Sequence, residues 1–160
     1  MIQLGRISKA GVAAGLLLLA PLPAASAAAL PVADKGDVCA VIDDALAAQA
    51  LKGRVKRDTN PQSSLPGLCD WRSLVTPGDG LTVRVDEGGQ GKYAFDRAKL
   101  PVRDIQGVGD MAFVFVSPAG FVQLGMMKAG IYVTIVLQLQ NAKDRLQRAT
   151  EFAQAVAARM

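Results

Sequence analysis

Residues 111–139, MAFVFVSPAGFVQLGMMKAGIYVTIVLQL, decide the fold. Three β-favouring runs, MAFVFV, FVQLGMM and IYVTIVLQL, are separated by Ser117-Pro118-Ala119-Gly120 and by Lys128-Ala129-Gly130. Serine first, proline second and glycine fourth fit a type I turn, and the second glycine-containing break closes another hairpin. The stretch therefore reads as a three-stranded antiparallel meander. Met126 and Met127 are adjacent on a strand and so face opposite ways, which makes them core residues rather than a thioether metal site.

Downstream of the meander, Asn141 is an N-cap candidate with Asp144 three residues on, opening a helix to Met160. Ala142, Leu146, Ala149, Phe152, Ala153 and Val156 recur at helical spacing, an apolar stripe that needs the meander to cover it. Upstream, CDWRSLV at 69–75, the turn Pro77-Gly78-Asp79-Gly80 and the alternating residues 81–86 read as a second hairpin. Asp37 is an N-cap candidate for a helix from Val38 to Lys52, with Gly53 at its C′ position. Val38, Ile42, Ala45 and Leu46 would form its buried stripe. RVKRDTNPQSSLPGL reads as an irregular connection with a short edge strand at its start, and EGGQGKYAFDRAKLPV as a glycine loop with a helical turn ending before Pro101. The expected fold is α+β: residues 37–160 as one domain, a single antiparallel sheet of about five strands with N-terminal and C-terminal helices packed on it.

The first 27 residues carry Arg6 and Lys9, an apolar run and then Ala25-Ser26-Ala27. That is the layout of a secretory signal peptide, with cleavage near Ala27 and residues 28–36 as an extended lead. The charge-free stretch from Ala10 to Ala33 is also long enough for an uncleaved anchor, but Pro21 and Pro23 interrupt the helix an anchor needs. No cysteine stands there to accept a lipid, and no twin arginine marks export of a folded chain. The expected location is the periplasm or the extracellular space, with no stable membrane span after cleavage.

The net charge is +4 at pH 7, yet two of the 18 basic residues lie in the leader and none of the 14 acidic ones do, leaving about +2. That is no nucleic-acid footprint. The run Lys52-Gly53-Arg54-Val55-Lys56-Arg57 is basic enough to attract an anionic surface, and reads first as a solvated face. Cys39 and Cys69 are the only two cysteines. In an oxidising compartment they are expected to form a disulfide rather than stay as two buried thiols.

The chain has no histidine, which removes the Ser-His-Asp and Cys-His arrangements, most zinc sites and the usual general base near neutral pH. Asp43 with Asp44, and Asp86 with Glu87, lack the spacing for shared acid and base work. No run has the pattern of a calcium loop. No metal or cofactor is expected. Trp71 follows Cys69 by two, so on a strand it shares that residue's face. It either packs beside the disulfide or, if exposed, offers a stacking platform flanked by Asp70 and Arg72.

Gly107-Val108-Gly109-Asp110 raises the question of a phosphate loop. Such loops follow a strand and open a helix, whereas here a strand follows the glycines. Gly107 and Gly109 therefore read as a structural turn that admits positive φ, and Asp110 as a strand-end hydrogen-bonder. The cluster Arg97, Lys99 and Arg103 borders this turn and motivates an anionic ligand. The candidate ligand contacts are Trp71, Arg103 and Asp110.

The order of landmarks, Cys39 in the first helix, Cys69 two before Trp71 on a strand, then Gly107, Gly109, Asp110 and Ala112 before a hairpin and a terminal helix, resembles one family. It is that of small exported cell-envelope proteins of unknown function, mostly actinobacterial lipoproteins, related to the extracellular sensor domains of bacterial receptor-like serine/threonine kinases. The resemblance implies a sheet-and-helix domain with a disulfide and a binding or sensing role. The chain departs from it in lacking a lipid-accepting cysteine and a kinase or transmembrane region. The expected function is a non-catalytic exported envelope protein, a binding or sensing module for an unidentified ligand or envelope-protein partner. The alternative is a carboxylate- or lysine-dependent hydrolase acting on cell-envelope material.

Overall fold

The computed structural model describes residues 38–58, 67–86, 88–140 and 142–160. In chain order the elements are α1 (Val38–Val41), α2 (Asp44–Leu51), β1 (Val55–Arg57), β2 (Leu68–Ser73), β3 (Gly80–Asp86), α3 (Gly89–Lys99), β4 (Arg103–Ile105), β5 (Met111–Val116), β6 (Phe121–Lys128), β7 (Ile131–Gln138) and α4 (Arg145–Arg159). The expected leader, lead and Asp37 cap lie outside the described residues, as do Asn141 and most of the 58–67 connection.

The strands of the described residues all pair antiparallel in one sheet of order β1-β2-β3-β7-β6-β5-β4. The fold class is as expected, but the sheet has seven strands, not about five. β1 is the short edge strand expected at the start of the 54–68 connection. β4 is the unexpected one: three residues, with a polar pair before Ile105, give no alternation to read.

The meander pairs in the register its turns imply. Gly120 N–H bonds the Ser117 carbonyl at 3.1 Å. Lys128 faces Ile131 across a two-residue turn in which Ala129 and Gly130 both have positive φ, +49° and +81°, the type I′ geometry that suits strand twist.

Alternation gives the sheet two different faces. On one, Cys69, Trp71, Leu81, Val83, Ile135, Leu137, Val122, Leu124, Met126 and Val114 form a continuous core with α2 and α4. α4 contributes Ala149, Phe152, Ala153, Val156 and Ala157. On the other face α3 covers one end only, where Tyr93 packs on Phe113, Met127 and Tyr132. Met126 and Met127 thus serve the two cores separately. Gly125 has no Cβ because the Phe113 ring and the Tyr132 hydroxyl occupy that space.

The first helix is broken rather than continuous. Asp43 leaves the helical region (φ −85°, ψ 165°) and caps α2 by accepting the Leu46 N–H at 2.7 Å. The restart shifts the buried stripe to Leu46, Ala47, Ala50 and Leu51 and leaves Ala45 exposed. At the other end, Lys52, not Gly53, takes the left-handed conformation, with φ +49°. The bonds Lys52 N–H to Gln49 and Gly53 N–H to Ala48 complete a Schellman motif. Gly53 is needed for room: a Cβ there would lie 2.8 Å from Val75.

Cys39 and Cys69 form a disulfide, with Cα atoms 5.7 Å apart, tying α1 to β2. α4 begins at Arg145, later than Asn141 predicts. Asp144 makes no capping bond and instead pairs with Arg148 at 2.9 Å and with Lys52 at 2.6 Å, linking the two core helices.

Candidate ligand-binding cleft

Between α3 and the loop joining β4 to β5 lies a cleft of about 550 Å³. Its helical wall is a single stripe, Gln90, Tyr93, Ala94, Arg97 and Ala98, spaced at three and four. Its other wall is the segment from Asp104 to Ala112, which includes the Gly-Val-Gly-Asp turn.

Each wall is held from behind. α3 is glycine-rich at its start, and its docking rather than its propensity sustains it. The Tyr93 ring lies 5.2 Å from Phe113 and 5.6 Å from Tyr132. The Tyr132 hydroxyl donates to Asp96 at 3.0 Å, and Lys92 pairs with the same carboxylate. The helix ends at Lys99 because Leu100, preceding Pro101, is extended. Val102 N–H bonds the Leu100 carbonyl at 2.8 Å, turning the chain back into β4.

On the loop side, Gly107 and Gly109 have φ of +76° and +57°, as their reading as a turn requires. Between them Val108 is 2 % exposed and reaches the main core. A Cβ on Gly109 would collide with the Met127 carbonyl, whereas one on Gly107 would meet only Gln154 Nε2, at 3.6 Å. Asp110 N–H bonds the Met127 carbonyl at 2.7 Å. Its carboxylate accepts the Ala129 N–H at 2.8 Å and lies 3.7 Å from Lys128 Nζ. The loop is thus a plug: one apolar side chain buried, two glycines bending the chain around it, one carboxylate fastening it to the β6–β7 turn.

Across the cleft Arg97 grips Asp104 with two exposed bonds, Nε to Oδ1 at 3.0 Å and Nη2 to Oδ2 at 2.7 Å. These bonds hold the Asp104 carboxyl below the usual carboxylate range and raise the Arg97 guanidinium. Burial pushes the Tyr93 phenol up, reinforced by the negative charge of Asp104. Near neutral pH the cleft therefore presents a closed ion pair, the Asp110 carboxylate beside Lys128, and the amides of Gln90 and Gln106.

Of the three candidate contacts, Asp110 lines the cleft and the other two do not. Trp71 is fully buried on the far side of the sheet, beside Cys69. Its indole N–H donates to Asp44 at 2.8 Å, and the Arg57 guanidinium sits 5.5 Å from its ring centre. It offers no exposed stacking platform. Arg103 is exposed on β4 and turns to the opposite side of the strand from Asp104. Arg97 is the member of the basic cluster that reaches the cleft, and Asp104 neutralises it. Tyr93, Asp104, Gln90 and Gln106 were not singled out from the sequence. The stripe Gln90-Tyr93-Ala94-Arg97-Ala98 was the signal available, masked by the two glycines within the helix.

Among the described residues no group of three or more His, Cys, Asp or Glu side chains is placed to hold a metal ion. No described helix is long and apolar enough to cross a membrane. Comparison with protein-family models, with curated proteins and with solved structures finds no match in any of the three.

Proposed function

We propose that the protein is a non-catalytic exported module that binds a polar ligand of the cell envelope in the cleft between α3 and the Gly107–Gly109 plug. The observation that carries this reading is the wall structure itself. A helical stripe and a fastened loop enclose about 550 Å³, a volume in the range of small-molecule sites. Both cleft carboxylates are already engaged, Asp104 by Arg97 and Asp110 by the Ala129 N–H. A glycoside hydrolase of the carboxylate-pair type needs one carboxyl group that holds a proton near neutral pH, and the Arg97 bonds push Asp104 the other way. The closed ion pair and the two glutamines favour a ligand with both donors and acceptors, such as a saccharide or peptide fragment, over a simple anion.

Export is supported by the leader-like layout of residues 1–27 and accords with the disulfide. Kinship with envelope sensor domains is part of the same proposal and rests on Cys39, Cys69, Trp71, Gly107, Gly109, Asp110 and Ala112.

The test is ligand-induced thermal stabilisation with a panel of envelope saccharides and peptides, repeated on Ala94→Trp, which fills the cleft from an exposed helical position. A stabilising ligand whose effect disappears in that variant is the expected result. Turnover of any panel member, lost on Asp104→Asn, would replace binding with catalysis.

A further inference from the structure

At the sheet edge far from the cleft, three cations share one side of the sheet, next to Asp58 and Asp70. β1 sets Lys56 directly opposite Arg72 of β2, and Arg54 stands two positions before Lys56, on the same side of the strand. All three are exposed. Among the described residues none of them enters an ion pair. Like charges directly opposite on paired strands repel and weaken the pairing. The neighbouring position on β3 is Gly80, where a Cβ would lie 3.0 Å from Arg72 Nη1, so the guanidinium extends over the next strand.

The same corner carries, among the described residues, the two most exposed large apolar side chains, Leu74 at 57 % and Val75 at 59 %. They form the tip of the β2–β3 hairpin, and the tip is fastened. Ser73 Oγ accepts the N–H groups of Val75 and Thr76 at 3.1 and 3.0 Å. Asp79 N–H bonds the Thr76 carbonyl at 3.1 Å, and Leu74 N–H bonds the Arg54 carbonyl at 2.8 Å. The last bond ties the apolar tip to the basic segment, so the two present as one unit.

We propose that this corner docks the protein on an anionic lipid surface, with Leu74 and Val75 entering the interfacial layer and Arg54, Lys56 and Arg72 engaging headgroup phosphates. The cations supply long-range attraction and the apolar pair supplies burial, the two components of interfacial binding. A soluble acidic polymer would satisfy the cations but leave Leu74 and Val75 in water, which is why the lipid surface fits the whole corner. The cleft, at the opposite edge of the sheet, stays open while the corner is docked.

Cosedimentation of the full chain with vesicles rich in phosphatidylglycerol, against vesicles of phosphatidylcholine alone, reads the preference for anionic lipid. The apolar leader is common to every variant and does not distinguish them. Arg54→Gln, Lys56→Gln and Arg72→Gln together are expected to reduce that preference about a hundredfold, roughly fivefold per charge. Leu74→Ser with Val75→Ser is expected to weaken binding to the anionic vesicles at unchanged charge. An unchanged preference in the triple variant overturns the proposal. So does a serine pair that binds like the parent while soluble polyglutamate competes fully, an outcome that assigns the corner to an acidic polymer. All these positions are exposed, and circular dichroism of each variant checks that the fold is intact.

Discussion

Asp110 Oδ2 accepts the backbone N–H of Ala129 at 2.8 Å, so the carboxylate that ends the glycine turn also fastens the first of the two left-handed residues of the β6–β7 hairpin. Asp110→Ala is expected to cost about 1 kcal/mol, the usual net worth of such a bond. Asp110→Asn, which keeps an acceptor oxygen, is expected to recover most of it. Denaturant midpoints of the two variants check this, and faster amide exchange at Ala129 in the alanine variant locates it.

The two glycines of the plug differ in what they must avoid. Both have positive φ, so alanine at either carries a backbone penalty of about 1–2 kcal/mol. Only at Gly109 does the added Cβ also strike a carbonyl. Gly109→Ala is therefore expected to be clearly the more destabilising, measured by urea denaturation. Equal losses would mean that the Met127 carbonyl moves aside freely.

Trp71 is fully buried and places its indole N–H on Asp44. Removing that acceptor strands a donor, at a cost of about 1–3 kcal/mol. Asp44→Ala should show that loss, and Asp44→Asn much less of it. Emission of the chain's single tryptophan should be blue-shifted in the native state and move to the red only on unfolding.

Among the described residues three carboxyl groups sit below their ordinary value: Asp43 chiefly through the Leu46 N–H, Asp104 through Arg97, and Asp144 through Arg148 and Lys52. In acid the folded chain therefore binds fewer protons than the unfolded one. Stability is complete above the unfolded carboxylate range and declines as pH falls through it toward the folded values. With no histidine in the chain, no side chain of ordinary pKa titrates between about pH 5 and 8. The melting temperature is expected to be level from about pH 6 to 8 and to fall below about pH 4.5. A slope across the neutral range in a calorimetric series would contradict this.

The meander was legible because its strands are long, its turns carry Pro and Gly at positions with a mechanism, and its apolar residues leave no alternative. The cysteine pair was legible because only one pairing exists. α3 was obscured by Gly89 and Gly91, which lower local helix propensity; it is Tyr93, docked among Phe113, Met127 and Tyr132, that stabilises the helix, and that contact is tertiary. The break before Asp44 was hidden because the apolar spacing of Ile42 and Leu46 continues across it, and only the cap that Asp43 makes reveals it. The cleft was the least legible part. Arg97 and Asp104 meet because the chain reverses at Pro101, and nothing in their spacing announces the reversal.

The strand order carries one more consequence. β1, β2 and β3 are neighbours in sequence, as are β4 to β7, and the two groups join only where β3 meets β7. The disulfide joins α1 to β2, so it closes within the part of the chain that precedes β4. β7, the last strand synthesised, occupies the middle of the sheet. A chain cut short before Ile131 would leave β3 and β6 as two bare apolar edges, open templates for pairing with other chains. The sheet is thus complete only once its last strand is in place.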